Sequence, residues 1–280
     1  MRIAIAGSRS LVGDSLRRAC NANRIDALSI GRGDDADVHY EAGNTITGHE
    51  KLVDVDVIIV CSASFADTTV RGMEQNLAIN VDGTLQLLEL SVERRIPHFV
   101  FVSSVSAVTG NDSYGLTKAM AEQMLQQLCP ILDRKLTIVR PSQLYDTSGS
   151  AAHHQPFLYS ILEQVSRNRN ITIYGSRDVE RNYLHVDDLS AALIKGILLG
   201  ADGVLHAVHP VSTKISEVCE IARAAFCSSS QVSFDPTKPD LPEIFFPRSP
   251  SIFDVAPGLH CRSLDEGLRE IARFRGLGEQ

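Results

Sequence analysis

Five short apolar runs, Arg2 to Ala6, Ala27 to Ile30, Asp56 to Cys61, Phe99 to Val102 and Leu136 to Val139, recur through the first half of the chain with helical patterning between them. Such near-continuous runs suit strands buried on both faces. Strands that alternate with helices this regularly need crossover connections, and so predict an α/β fold around a doubly wound parallel Rossmann sheet. A further strand near Val204 to His206 returns to that sheet late in the chain.

The first run leads into Gly7-Ser8-Arg9-Ser10-Leu11-Val12-Gly13 and then a helical pattern through Leu16 and Ala19. Gly7 permits the sharp turn, Gly13 permits close helix packing, and the amides that open the helix can hold a pyrophosphate. Gly7, Arg9, Ser10, Leu11, Val12 and Gly13 are therefore candidate dinucleotide contacts. Ser10 stands where the middle glycine of such a turn is expected, and serine is small enough to leave the backbone approachable.

The second run ends at Gly31-Arg32-Gly33, where a dinucleotide fold offers a side chain to the adenosine ribose. Gly31 removes the carboxylate that would repel a 2′-phosphate, and Arg32 supplies a guanidinium that can pair with one. Arg9 can add a second positive contact, so NADP(H) is favoured over NAD(H); solvated surface arginines are the plainer reading. Asn44 lies in a turn where an amide can meet the adenine edge, and Cys61, Ser62 and Ala63 are small residues at a strand end suited to line the cofactor.

The fourth run emerges at Ser103-Ser104-Val105-Ser106, at the strand end where open α/β sheets bind ligands. Nearby, Tyr114-Gly115-Leu116-Thr117-Lys118 puts a phenol and an ammonium on one helical face. An ammonium near a tyrosine favours the phenolate and draws its proton exchange toward neutral pH. The catalytic candidates are Ser104 to polarise a carbonyl, Tyr114 to transfer the proton, and Lys118 to tune Tyr114 and touch the nicotinamide ribose. For Ser104 alone, a strand-end cap is the competing role.

Tyr145 to His154 is polar and small and reads as a mobile loop beside the site, with His153 and His154 solvated in it. Asp187 or Asp188 is placed to cap the helix that follows. The six scattered cysteines and the histidines offer no metal-ligand spacing, so no metal is expected. A net charge of -7 argues against nucleic-acid binding, and the lack of a long apolar run argues against a membrane span. The amino terminus enters its first strand too soon for a signal-peptide core, which predicts a cytoplasmic protein.

With these residues in view, the chain resembles the extended short-chain dehydrogenase/reductase family, in its nucleotide-sugar epimerase, dehydratase and reductase branch. The likeness rests on Gly7 to Gly13, Asn80-Val81-Asp82-Gly83-Thr84, Phe99 to Ser104, Tyr114 to Lys118, Arg140-Pro141 and Arg181 to Asp188. It implies a nucleotide-sugar substrate, adds Asn80 to the cofactor set, and gives Arg181 the substrate's phosphate, alongside Ser104 and Tyr114 at its sugar. It also implies a homodimer. Ser104-Val105-Ser106 stands where the family's 4,6-dehydratases resemble Thr-Asp-Glu, which disfavours water elimination. Only nine residues separate Ser104 from Tyr114, a short loop for this family.

The expected domains are residues 1–143 plus about 183–207 for the dinucleotide and about 144–182 with 208–280 for the substrate. The expected activity is NADP(H)-dependent 4-keto reduction of an NDP-6-deoxy-hexulose. An NAD-dependent UDP-sugar 4-epimerase and a non-catalytic NADP-sensing regulatory protein remain alternatives.

Overall fold

A computed structural model describes residues 1–67 and 69–277. Position 68 of the expected dinucleotide region and positions 278–280 of the expected substrate region lie outside the described residues. In chain order the strands are β1 Arg2–Ala6, β2 Asp26–Gly31, β3 Val38–His39, β4 Val57–Val60, β5 His98–Val102, β6 Lys135–Pro141, β7 Gln143–Tyr145, β8 Ile171–Tyr174, β9 Glu180–Arg181, β10 Tyr183–His185, β11 Gly203–Ala207, β12 Thr213–Lys214 and β13 Val232–Asp235. The helices are α1 Leu11–Ala22, α2 Val70–Leu77, α3 Gly83–Glu93, α4 Ser106–Thr109, α5 Ser113–Ile131, α6 Pro156–Ser166, α7 Val186–Leu198, α8 Ile215–Ala225, α9 Ile252–Val255 and α10 Leu264–Phe274.

Among the described residues, seven strands form one parallel sheet in the order β11-β6-β5-β4-β1-β2-β3. Every residue of β4 and β5 is buried, as strands covered by helices on both faces must be. From β1 the chain builds outward through β2 and β3, then crosses back to lay β4 on the other side of β1. That reversal is the topological switch point, where such sheets bind ligands beyond their carboxyl ends. Ala6 pairs with Val60 there, so the Gly7 turn and Cys61 emerge side by side.

The chain divides into two compact units. The first holds the large sheet and comprises residues 1–141, 190–207 and 249–258. The second comprises residues 142–189, 208–248 and 259–280, with the strand pairs β10-β7, β12-β9 and β13-β8 beside α6, α8 and α10.

Two borders differ from those read in the sequence. Residues 183–189 fall in the second unit because β10 pairs with β7, a pairing between segments too short to carry a periodic signal. Residues 249–258 join the first because the His206 N–H donates to the Pro250 carbonyl at 2.7 Å and Ile252 of α9 packs on Gly196.

Candidate active site

At the switch point, a buried strand must turn sharply into the start of α1. Gly7 takes φ +85°, and a Cβ at that position would stand 2.5 Å from the backbone nitrogen of Ser62. A Cβ on Gly13 would collide with the Gly7 carbonyl oxygen. Ser10 caps α1, its Oγ accepting the Gly13 N–H at 3.1 Å, so Leu11 and Val12 form the first helical turn. A small-residue cradle against a helix N-terminus fits a dinucleotide pyrophosphate.

Around it, the remaining cofactor candidates divide. Cys61 is buried with its thiol donating to the Ala6 carbonyl at 3.1 Å, while Ser62 and Ala63 are part-exposed beyond the strand end. Arg9 and Arg32 are exposed and already face acids, Asp35 at 3.5 Å and Glu41 at 3.9 Å. Arg9 lies over Gly33, so both arginines border the end of β2. Asn44 sits in an exposed turn where its backbone N–H and side-chain amide both donate to Glu41.

Asn80 is fully buried and its amide is committed to the protein. Its Oδ1 accepts the Ser64 N–H at 2.8 Å, and its Nδ2 donates to the Ser64 carbonyl and to Thr117 Oγ1, both at 3.0 Å. A wider π-type turn at Ala78–Asp82, between α2 and α3, presents it. Asn80 holds the segment that follows β4 against α5.

Ser104, Tyr114 and Lys118 converge within the first unit. Asp112 caps α5 by accepting the Gly115 N–H at 2.6 Å, which starts the helix beside Tyr114. The short link from Ser104 carries only α4 and a left-handed turn at Gly110. Ser104 acts as the strand-end cap, its Oγ accepting the Ser106 N–H at 3.1 Å, and its hydroxyl hydrogen-bonds the Tyr114 phenol.

Lys118 is buried. Its ammonium donates to the Val102 carbonyl at 2.9 Å and stands 4.4 Å from the centre of the Phe101 ring and 5.9 Å from that of Tyr114. Burial lowers its pKa to about 8, against opposing pulls from Cys61 and Glu122. Burial also raises the Tyr114 pKa, reinforced by Asp112 and opposed by Ser104. In this geometry desolvation outweighs the effect expected of the ammonium, and the phenol keeps its proton.

Beneath the triad lies a network the sequence reading missed. Glu122, one turn beyond Lys118, is buried, takes the Ser103 hydroxyl, and pairs with Arg140, whose Nε donates at 3.0 and 3.1 Å. It ties the ends of β5 and β6 to α5. The spacing of four from Lys118 was a usable signal; the link to Arg140 was not.

In the second unit, Arg181 is buried on β9, its Nη1 donating to the Glu180 carbonyl at 2.8 Å, and burial lowers its pKa. Thr213 pairs with Arg181 across β12, and Arg248 donates to the adjacent Ser212 Oγ at 3.3 Å and to the Pro210 carbonyl. Asn182 fixes the same turn by bonding to His209, Val211 and Ser212. Arg248, absent from the sequence reading, is a second guanidinium on that turn. The second unit also has a cavity of about 490 Å³ lined by Phe157, Ser160 and Gln164 of α6, Ile171 to Tyr174, and Leu241.

Two expectations in this unit are corrected. The stretch expected to be a mobile loop is knotted around the buried Asp146 carboxylate, which accepts the Ser148, Ser150 and Ala151 N–H groups at 2.8–3.1 Å and the Tyr159 hydroxyl at 2.8 Å. His153 and His154 stack edge-on at 5.3 Å at the end of that knot. At the start of α7, His185 Nδ1 accepts the Asp187 N–H at 3.2 Å, while the Asp188 carboxylate receives the Arg262 backbone at 2.8 Å and guanidinium at 2.9 Å. Asp188 thus anchors the approach to α10 instead of capping α7. Among the described residues no cluster of three histidine, cysteine or acidic side chains is grouped to hold a metal, and no helix is long and apolar enough to cross a membrane.

A glycine cradle at the switch point, followed at the next strand end by a serine facing a Tyr-x-x-x-Lys helix, defines a short-chain dehydrogenase/reductase of the extended type. The chain belongs to the NAD dependent epimerase/dehydratase family, whose model matches residues 3–205. It is similar to human short-chain dehydrogenase/reductase family 42E member 1, with 26% identity over 69% of this chain and 57% of that protein. It is also similar to the dTDP-4-dehydro-6-deoxyglucose reductase of Escherichia coli, with 24% identity over 49% of this chain and 48% of that protein. The chain spans about half the length of the curated relatives it matches. Its fold is shared with a UDP-N-acetylglucosamine 4-epimerase from Methanobrevibacter ruminantium M1, with a TM-score of 0.81, 16% identity, and coverage of 98% of this chain and 97% of the other.

Proposed function

We propose that this protein is an NADP(H)-dependent oxidoreductase of nucleotide-activated sugars that reduces the 4-keto group of an NDP-6-deoxy-hexulose. The observation that carries this reading is geometric: the Tyr114 phenol meets the strand-end Ser104, with the buried Lys118 ammonium 5.9 Å from the centre of its ring. A reduction needs such a proton donor. Gly7, Ser10, Leu11, Val12 and Gly13 would hold the pyrophosphate, Arg9 and Arg32 the 2′-phosphate, and Lys118 the nicotinamide ribose. Asn44, Cys61, Ser62 and Ala63 complete this proposed set, with Asn80 acting through Ser64. The dinucleotide, when bound, supplies hydride chemistry to a carbonyl carbon.

Ser104 donates to the carbonyl oxygen, and Tyr114 gives that oxygen its proton as it becomes an alkoxide, a much stronger base than a phenolate. Lys118, with a pKa of about 8, lies close enough to the working pH to return a proton toward Tyr114. Arg181 and Arg248 suit the substrate diphosphate, since a buried guanidinium bonded only to its neighbour's carbonyl in the contacts described gains from an anionic ligand. Leu116, Met120 and Met124 form an exposed apolar stripe at four-residue spacing on α5, which supports pairing with a second copy of the chain.

A second reading, a UDP-sugar 4-epimerase that retains NAD(H), uses the same three catalytic groups. It is favoured by Asp35 and Glu41, which already face Arg9 and Arg32 and would oppose a 2′-phosphate. The deciding experiment compares NADPH with NADH binding and then follows reduced-cofactor consumption against a panel of NDP-4-keto-6-deoxy sugars. Net NADPH oxidation supports the reductase. NAD(H) retained through purification, with sugar interconversion and no net oxidation, supports the epimerase.

A further inference from the structure

Tyr114, Lys118 and Glu122 follow one another at four-residue spacing and so form one stripe along α5. The stripe runs against the exit of β5. Tyr114 meets Ser104, the Lys118 ammonium donates to the Val102 carbonyl at 2.9 Å, and Glu122 takes the Ser103 hydroxyl. Tyr114 and Lys118 have a place in the proposed chemistry, and Glu122 has none there. Yet it is 2% exposed and set in a guanidinium fork: Arg140 Nε donates to its two oxygens at 3.0 and 3.1 Å, and Arg140 Nη2 donates to Oε2 as well.

A buried ion pair adds little stability over apolar side chains of the same size, because taking both charges out of water offsets most of their attraction. What this pair does to its surroundings is more informative. Glu122 acts on two cations, Arg140 in the fork and Lys118 one turn back along α5. The other titratable groups packed around Lys118 carry no compensating charge at neutral pH. Burial pushes the Cys61 thiol, just beyond β4, up to about 11. The Tyr114 phenol, with the Phe65 ring stacked on it at 4.1 Å, keeps its proton. His206 stands opposite Arg140 in the β11-β6 register, and burial together with Arg140 holds its ring neutral. Asp112, at the start of α5, accepts the Gly115 N–H and acts on Tyr114. The carboxylate of Glu122 is thus the anion that works against the desolvation of the Lys118 ammonium.

We propose that Glu122 is a positioning residue of the proton-donor site: tethered to β5 through Ser103 and to β6 through Arg140, its carboxylate holds the Lys118 ammonium charged beside Tyr114. The use of that ammonium in turnover rests on the oxidoreductase reading above. The electrostatic link from Glu122 to Lys118 does not, and the test separates the two.

The parent, Glu122→Gln and Glu122→Asp would be unfolded in denaturant at pH values from about 6 to 10, with kcat for NADPH consumption on an NDP-4-keto-6-deoxy sugar followed over the same range. Because the folded pKa of Lys118 lies near 8, below its ordinary 10.5, stability rises with pH between those values. Loss of the carboxylate lowers the folded value further, so in Glu122→Gln that rise should begin about one pH unit lower. The alkaline fall of kcat should move the same way. Glu122→Asp, which keeps the charge, should hold both near the parent's values. Should Glu122→Gln not fold because Arg140 is left unpaired, the double variant Glu122→Gln/Arg140→Gln leaves no orphaned cation, and its unfolding onset should move in the same direction. An onset that stays at the parent's pH in the glutamine variants overturns the proposal, as does an equal shift in Glu122→Asp, which would mark a loss of shape instead of charge. A moved onset with an unmoved kcat limb upholds the link and overturns the part given to Lys118 in turnover. A parent that consumes no NADPH with any sugar nucleotide sinks the functional reading, and the unfolding onset then decides the proposal by itself.

Discussion

Lys118 is the residue at which structure and chemistry conflict most openly. An ammonium with an ordinary pKa of 10.5 is buried at the carboxyl end of β5 and brought to about 8. Between those values the unfolded chain binds the proton and the folded one does not, so Lys118 makes stability rise with pH through that window and costs stability below it. Lys118→Met should therefore stabilise the protein at pH 7. Relief of the buried charge is on the order of 3 kcal/mol, less about 1 kcal/mol for the lost bond to Val102, and the rise between pH 8 and 10 should flatten. Denaturant unfolding at several pH values checks both, and turnover should be lost in the same variant. A stabilised, inactive variant is the mark of a residue retained for function. Tyr114 and Lys118 were legible in the sequence because they share one helical turn. Phe65 was not, since only the folded connection after β4 brings it to Tyr114, and Glu122 with Arg140 needed two strands and a helix to meet.

At the level of elements, the strand-turn-helix at the amino end shows how little freedom the dinucleotide cradle has. Gly7 lies in the left-handed region, and any side chain there meets the backbone of Ser62. Gly7→Ala should cost about 3 kcal/mol or more, combining backbone strain with a contact that neither strand can yield. It should weaken dinucleotide binding at least tenfold, because the turn and the start of α1 must shift together. Thermal unfolding and a binding titration test the two effects separately. This element was readable because its demands are local. Pairs such as β7 with β10 and β9 with β12 were not, since two or three residues carry no periodicity and their partners lie some 30 to 40 positions away. The Asp146 knot misled for a related reason: its small polar sequence is what a flexible loop also looks like, and the carboxylate that organises it acts only once its N–H partners curl around it.

Across the whole molecule, five apolar runs and a late sixth account for six of the seven strands of the parallel sheet, the seventh being the short Val38–His39, and Ser104 falls just beyond the carboxyl end of β5 while Tyr114 and Lys118 stand on α5. The division into two units was legible in outline, while the return of Ser249 to Gly258 to the first unit depends on a bond to β11 that no local pattern announces. In the proposed function, catalysis comes down to one proton. The most direct measurement compares the parent with Tyr114→Phe for NADPH binding and for NADPH consumption with an NDP-4-keto-6-deoxy sugar. The account predicts that turnover falls at least about a hundredfold, the scale of a lost general acid, while NADPH affinity stays within about twofold. Turnover that survives the loss of the hydroxyl would contradict it.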